Sequence, residues 1–145
     1  MRLLAFSLLV ALVLGCTAKP AGEAAYSGAF AFWLNKSVTL NDASRELEKF
    51  VGATGDSIAL RARFDDLVIT QTDVNNQLRV SVPPARWQER HAKLTQALDI
   101  YDAAISRFNP TEPLPSLMRR LLEERAILFE QILRCYADSP ACDKS

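Results

Sequence analysis

Between residues 87 and 108 the chain repeats large side chains at a spacing that fits one backbone conformation. Trp87, His91, Leu94, Leu98, Tyr101, Ile105 and Phe108 follow one another at intervals of 4, 3, 4, 3, 4 and 3 residues. A helix completes a turn about every 3.6 residues, so this alternation lays all seven on one stripe, the a/d seam of a packed helix. Pro83-Pro84 opens the segment, because proline is tolerated in a first turn, and Asn109-Pro110 closes it. The spacing predicts a helix from Pro84 to Phe108.

The same pattern recurs elsewhere. Leu114, Met118, Leu121, Leu128, Ile132 and Cys135 predict a last helix from about Glu112 to Tyr136, and Leu117, Leu122, Ile127 and Phe129 widen its apolar stripe. Leu60, Phe64, Leu67, Gln71, Val74 and Leu78 keep heptad spacing between Asp56 and about Ser81. Within that segment, however, Leu67-Val68-Ile69-Thr70 and Leu78-Arg79-Val80-Ser81-Val82 are β-rich and flank Asn75-Asn76, so a hairpin over residues 67–82 stands as the alternative. Asp56, following Gly52 and Gly55, is placed as an N-cap and favours the helix. Phe30, Trp33, Leu40, Leu47 and Val51 can share the face of a first helix, with a break expected at Ser37-Val38-Thr39 and a new start capped by Asn41 or Asp42. Four helices of about 25 residues, roughly 37 Å each, with short connections make an all-α fold: an antiparallel up-down bundle over residues 26–145.

The N-terminus has a different character. One positive charge on Arg2 precedes an apolar run from Leu3 to Leu14 broken only by Ser7. The run is too short to span a bilayer, which takes about 20 apolar residues, and has the length and charge order of a signal peptide. It ends in Leu12-Val13-Leu14-Gly15-Cys16, which resembles the lipobox of bacterial lipoproteins: an aliphatic residue three before the cysteine, a small one directly before it, then the cysteine itself. Leu14 stands where Ala or Ser is commoner. The resemblance implies cleavage after Gly15, a diacylglyceryl group on the Cys16 thiol and acylation of the new amino group. Two or three buried chains, at about 0.8 kcal/mol per CH₂, anchor stably. Thr17 is not the Asp that signals inner-membrane retention in enterobacterial lipoproteins, so the resemblance implies an outer-membrane location facing the periplasm. Residues 16–25 read as the lipidated cysteine and a tether, small, polar and proline-containing from Thr17 to Gly22.

With Cys16 assigned to lipid, Cys135 and Cys142 remain as a pair in an oxidising compartment, and the Ser139-Pro140 turn signal between them allows the tail to fold back. They are expected to form a disulfide worth roughly 2 to 3 kcal/mol on the chain-entropy model. Removing Arg2 from the 17 basic residues leaves 16 against 17 acidic in the mature chain. A net charge near minus one supplies no field to draw nucleic acid.

Chemistry-bearing motifs are scarce. His91 is the single histidine, so neither a His-His metal pair nor an H-E-x-x-H helix can be built, and no P-loop, G-x-S-x-G or G-x-G-x-x-G occurs. No metal, cofactor or catalytic residue is assigned. His91 and Met118 invite comparison with a haem ligand pair, yet in antiparallel helices they fall roughly 20 Å apart along the axis, too far to share an iron. Asp65-Asp66 and Glu123-Glu124 diverge by about 100° on a helix and read as solvated faces. Arg119 with Glu123 and Arg120 with Glu124 are expected as i,i+4 pairs. Arg125 falls on the apolar stripe of the last helix, and Phe30, Phe32 and Trp33 form an aromatic cluster near the tether. These readings lead to a non-enzymatic module that binds or scaffolds another envelope protein. The alternatives are an immunity or inhibitor lipoprotein against a secreted toxin, and a ligand-binding bundle with a core cavity lined by His91, Tyr101 and Arg125.

Overall fold

The computed structural model of the chain describes residues 22–136. The segment expected to be a signal peptide (residues 1–15), the expected lipidation site Cys16, and Cys142 of the expected disulfide lie outside the described residues. Four helices follow in order: α1 (Glu23–Thr54), α2 (Ile58–Arg79), α3 (Gln88–Ile105), preceded by a 3₁₀ turn (Ala85–Trp87), and α4 (Leu114–Tyr136). They form an antiparallel up-down bundle. Each helix packs on its neighbour in sequence, α4 closes the ring against α1, and the α2–α3 seam is the loosest of the four. The opposite run of α1 and α2 is visible in two hydrogen bonds: Trp33 pairs with Asn75, and four residues later Ser37 pairs with Gln71, four residues earlier.

All four helices keep a seam. On α2, Phe64, Leu67, Gln71, Val74 and Leu78 are buried; on α3, Leu94, Leu98, Tyr101 and Ile105; on α4, Leu114, Met118, Leu121, Arg125, Leu128 and Ile132. Residues 67–78 are helical, so the hairpin alternative does not form. Burial of one stripe outweighs the local β-propensity of Val68 and Ile69, and Ile69 faces outward.

Several boundaries depart from expectation. The helix α1 begins at Glu23, inside the segment read as tether, and runs without a break for 32 residues. Ser37 does not interrupt it, because the Ser37 hydroxyl accepts a bond from Gln71 Nε2 at 3.0 Å, and Thr39 donates to its own helix at the Asn35 carbonyl. With Ser37 and Ser44 included, Tyr26, Phe30, Trp33, Ser37, Leu40, Ser44, Leu47 and Val51 keep the 4,3 alternation throughout. The matched lengths expected from sequence also fail: α1 has 32 residues and α3 18, about 48 and 27 Å. The ends of the third segment tighten instead, with a 3₁₀ turn over Ala85–Trp87 and a Phe108 N–H to Ile105 carbonyl bond of 3.0 Å. On α4, Ile127 lies outside the stripe, exposed.

Ser57, not Asp56, caps α2, its hydroxyl accepting from the Leu60 N–H. Asp56 instead ion-pairs with Arg61 and accepts from the Leu114 N–H at the start of α4. The Arg61 guanidinium continues to the carbonyls of Pro110 and Glu112 at 2.8 and 2.9 Å. This arrangement ties the α1–α2 turn to the α3–α4 connection. At that turn Gly55 adopts φ +78°, a left-handed conformation open to glycine, and its N–H returns to the Val51 carbonyl.

Candidate functional site

Where α3 stops at Ile105, Phe108 of the following connection fills the already loose α2–α3 seam only in part. A half-open groove of about 450 Å³ results. Phe64, Val68, Ile105, Phe108 and Leu117 supply its apolar wall, and Arg61 and Asp65 stand at its polar margin. Phe108 is held by a stacked contact with Phe64, centroids 6.3 Å apart, and by the Arg120 guanidinium over its ring at 4.4 Å. Arg120 is itself fixed by Glu112 at 2.7 Å. Ile69 borders the groove and is 60% exposed. The groove is therefore an apolar depression at the end of the bundle remote from Glu23. A second depression of about 300 Å³ lies between α1 and α4, lined by Asn41, Arg45, Glu48, Leu122, Ala126 and Phe129.

The polar seam residues meet across helices in layers. Trp33 donates its indole N–H to Asn75 Oδ1 at 2.9 Å, and that oxygen also accepts from Gln71 Nε2 at 2.9 Å. Asn75 Nδ2 leads on to Asp102 at 3.4 Å, and Asp102 pairs with Arg79 at 2.7 Å. Deeper along the axis Arg125, fully buried, donates to Ser44 Oγ at 2.6 Å and reaches the Leu67 carbonyl at 3.5 Å. Among the described residues, the guanidinium faces no carboxylate within ion-pairing distance. Tyr101 lies close enough to feel its charge, although the phenol and Arg125 Nε close no hydrogen bond of ordinary geometry. Burial pushes the Tyr101 phenol up, opposed by the guanidinium, and burial lowers the Arg125 pKa, opposed by Tyr101.

His91 sits near the start of α3. Its Nε2 faces the Arg79 carbonyl at 3.3 Å, which can only accept, so the proton is placed on Nε2. Nδ1 then accepts the Tyr26 hydroxyl at 2.8 Å, and burial lowers the imidazole pKa. A neutral ring bonded at both nitrogens is a packing element joining α1, α2 and α3. Met118 is in the core near the opposite end.

The remaining sequence candidates separate. His91, Tyr101 and Arg125 line neither described depression. Trp33 and Phe30 stack in the core at 6.0 Å, whereas Phe32 is exposed beneath Lys36. Asp65 and Asp66 diverge on the outside of α2, and of the two only Asp65 reaches the groove margin. Arg120 pairs with Glu112 rather than Glu124, and Arg119 and Glu123 form no ion pair. Cys135 is half-buried on α4. Sequence reasoning missed Ser37, Ser44, Asn75 and Asp102; continuing the seam numbering through the serines would have found the first two.

Among the described residues, no group of three or more His, Cys, Asp or Glu side chains is arranged to hold a metal ion, and no helix is long and apolar enough to cross a membrane. Comparison of the chain with protein-family models, characterised proteins and solved structures finds no match.

Proposed function

We propose that this chain is a lipid-anchored lipoprotein of the cell envelope, attached through Cys16 at the outer membrane on its periplasmic side. In this reading it works without catalysis, as a binding module for another envelope protein. The observation that carries the reading is the polarity of the molecule. The Leu12–Cys16 lipobox stands a few residues before Glu23 at one end of the bundle, and the apolar groove opens at the other. A tethered body oriented in this way holds its groove away from the leaflet. The groove wall is preformed by packed aromatic rings, so an inserted apolar side chain would meet little reorganisation. The Cys135–Cys142 disulfide belongs to the same reading, because it needs the oxidising compartment.

Two measurements test it. A Cys16→Ser variant should leave the membrane fraction, and unchanged fractionation would refute the anchor. Crosslinking and capture of the lipidated protein from envelope extract should recover a stoichiometric partner, lost when Ile69 at the groove margin becomes Asp. A partner retained by Ile69→Asp removes the groove from the reading, and reproducible recovery of no partner removes the binding function. The groove volume, inside the roughly 300–1,000 Å³ range of small-molecule sites, favours a second reading in which the occupant is a small apolar ligand. Native mass spectrometry of the protein isolated from its envelope separates the two: a bound small mass supports the ligand, and a bare chain the protein partner.

A further inference from the structure

The bundle end where the chain enters the fold carries an apolar patch of its own. The connection after α2 leaves Val80 77% and Val82 59% exposed, and runs through Pro83 and Pro84 to Trp87. Trp87 is half-buried, with the guanidinium groups of Arg86 and Arg90 over its ring at 5.6 and 4.8 Å. Arg86 also ion-pairs with Glu23, the first residue of α1, at 2.5 Å. The patch and the point of entry are thus one surface.

We infer that this surface rests in the headgroup–acyl boundary of the leaflet that holds Cys16, with Val80, Val82 and Trp87 as the inserted groups; the inference rests on the lipoprotein reading. The length of chain before the fold is the first argument. Thr17 to Gly22 is six residues, and at about 3.3–3.6 Å each they span roughly 20 Å at most. The lipid therefore keeps the entry end within reach of the membrane while the groove end, a helix length away, points outward. The second argument is composition. Tryptophan sits preferentially at the headgroup level, and the apolar stems of arginine let their charges remain in water beside it. Two valines and one tryptophan are too little apolar surface to recruit a free protein. They suffice once an anchor has made the contact intramolecular, because the effective concentration is then high.

Charge plays a small part. Of the basic groups at this end, Arg79 pairs with Asp99 and Asp102, Arg86 with Glu23 and Lys93 with Glu89, and Arg90 lies over the Trp87 ring. Insertion should therefore proceed equally on zwitterionic and anionic leaflets and resist added salt, unlike attachment of a basic patch.

The two tryptophans make the test direct. Trp33 is fully buried against Phe30 and Phe129, beyond the reach of a lipid chain, so any lipid-dependent change reports Trp87. The lipidated full-length mature protein, its mass checked for the acyl groups, is reconstituted into phosphatidylethanolamine–phosphatidylglycerol vesicles with acyl chains brominated near the headgroup. Trp87 emission should shift to the blue and be quenched by the brominated chains. Trp87→Phe should lose the quenchable component. Val80→Asp with Val82→Asp should abolish quenching while the protein still floats with the vesicles and keeps its helical circular dichroism. Lipidated protein whose Trp87 stays open to aqueous iodide and unquenched by bromolipid overturns the inference and leaves the lipoprotein reading standing. Trp87 shielded from iodide without bromolipid quenching assigns the patch to a second copy of the chain and also overturns it. An unmodified Cys16 in the intact mass defeats the lipoprotein reading itself, and the inference with it.

Discussion

Replacing Arg125 with methionine should stabilise this bundle. The guanidinium is fully buried with no carboxylate partner, and moving such an ion out of water costs several kcal/mol even after relaxation. In return it makes one good charge-assisted bond, to Ser44 Oγ at 2.6 Å, worth about 1.5–3 kcal/mol, and one long contact to the Leu67 carbonyl at 3.5 Å. Methionine keeps most of the stem's volume and strands neither acceptor, and the buried Tyr101 phenol loses a neighbour with which it closes no bond of ordinary geometry. Ser44 Oγ retains its bond to the Leu40 carbonyl at 2.7 Å, and the Leu67 carbonyl stays in the helical ladder of α2. The expected gain is about 1–3 kcal/mol, the range seen when buried ions give way to apolar groups of similar size. Arg125→Ala, which also deletes the stem, should be less stable than Arg125→Met by about 2 kcal/mol or more. Urea unfolding followed by far-UV circular dichroism gives both values, and an unchanged m confirms that the unfolded state is the same. A methionine variant destabilised by more than about 1 kcal/mol would refute the reasoning, because the guanidinium would then contribute more to the core than its desolvation removes.

Four further outcomes are expected. The folded-state pKa of His91 lies below its ordinary value of 6.5, so the unfolded chain takes up a proton there that the native state refuses. Stability should be full above that value and fall as pH drops through the window beneath it, and His91→Gln should flatten this segment of the pH–stability curve. Asp56 is held below its ordinary 3.8 by the Arg61 guanidinium, so its contribution should persist to lower pH and disappear as pH falls through that depressed value, a step that Asp56→Asn removes. Asn75→Ala withdraws the acceptor shared by Trp33 and Gln71 and should cost about 1–3 kcal/mol in the same urea assay, with no change in helical content. Ser57→Ala should cost about 1 kcal/mol through loss of the α2 cap; equal stability would return the capping role to another group.

The polar seam residues share one physical role. Gln71 with Ser37, and Arg125 with Ser44, pair at single heights along the bundle, and His91 with Tyr26 does the same near its entry end. Sliding one helix past another by a turn would leave these groups buried without partners, at about 1–3 kcal/mol for each neutral group and more for the charge. Apolar seams tolerate such slips more readily, so the polar pairs select one register. The groove arises separately, from the early end of α3 beside a loosely packed α2.

Helix number, order and buried stripes were legible before any coordinates, because a 4,3 alternation depends only on the pitch of the helix. The seams at Leu94, Leu98, Tyr101 and Ile105 and at Leu114, Met118 and Leu121 are where the spacing put them. Residues whose part depends on a neighbour distant in sequence were not legible. Ser37 looks like a breaker until Gln71 lies opposite it, Asp56 looks like a cap until Arg61 and Leu114 compete for its carboxylate, and Arg125 shows no partner until Ser44 approaches from α1. Periodicity is a local property that the chain carries alone, whereas a hydrogen bond in a core, or an opening between helices of unequal length, exists only after the helices have met.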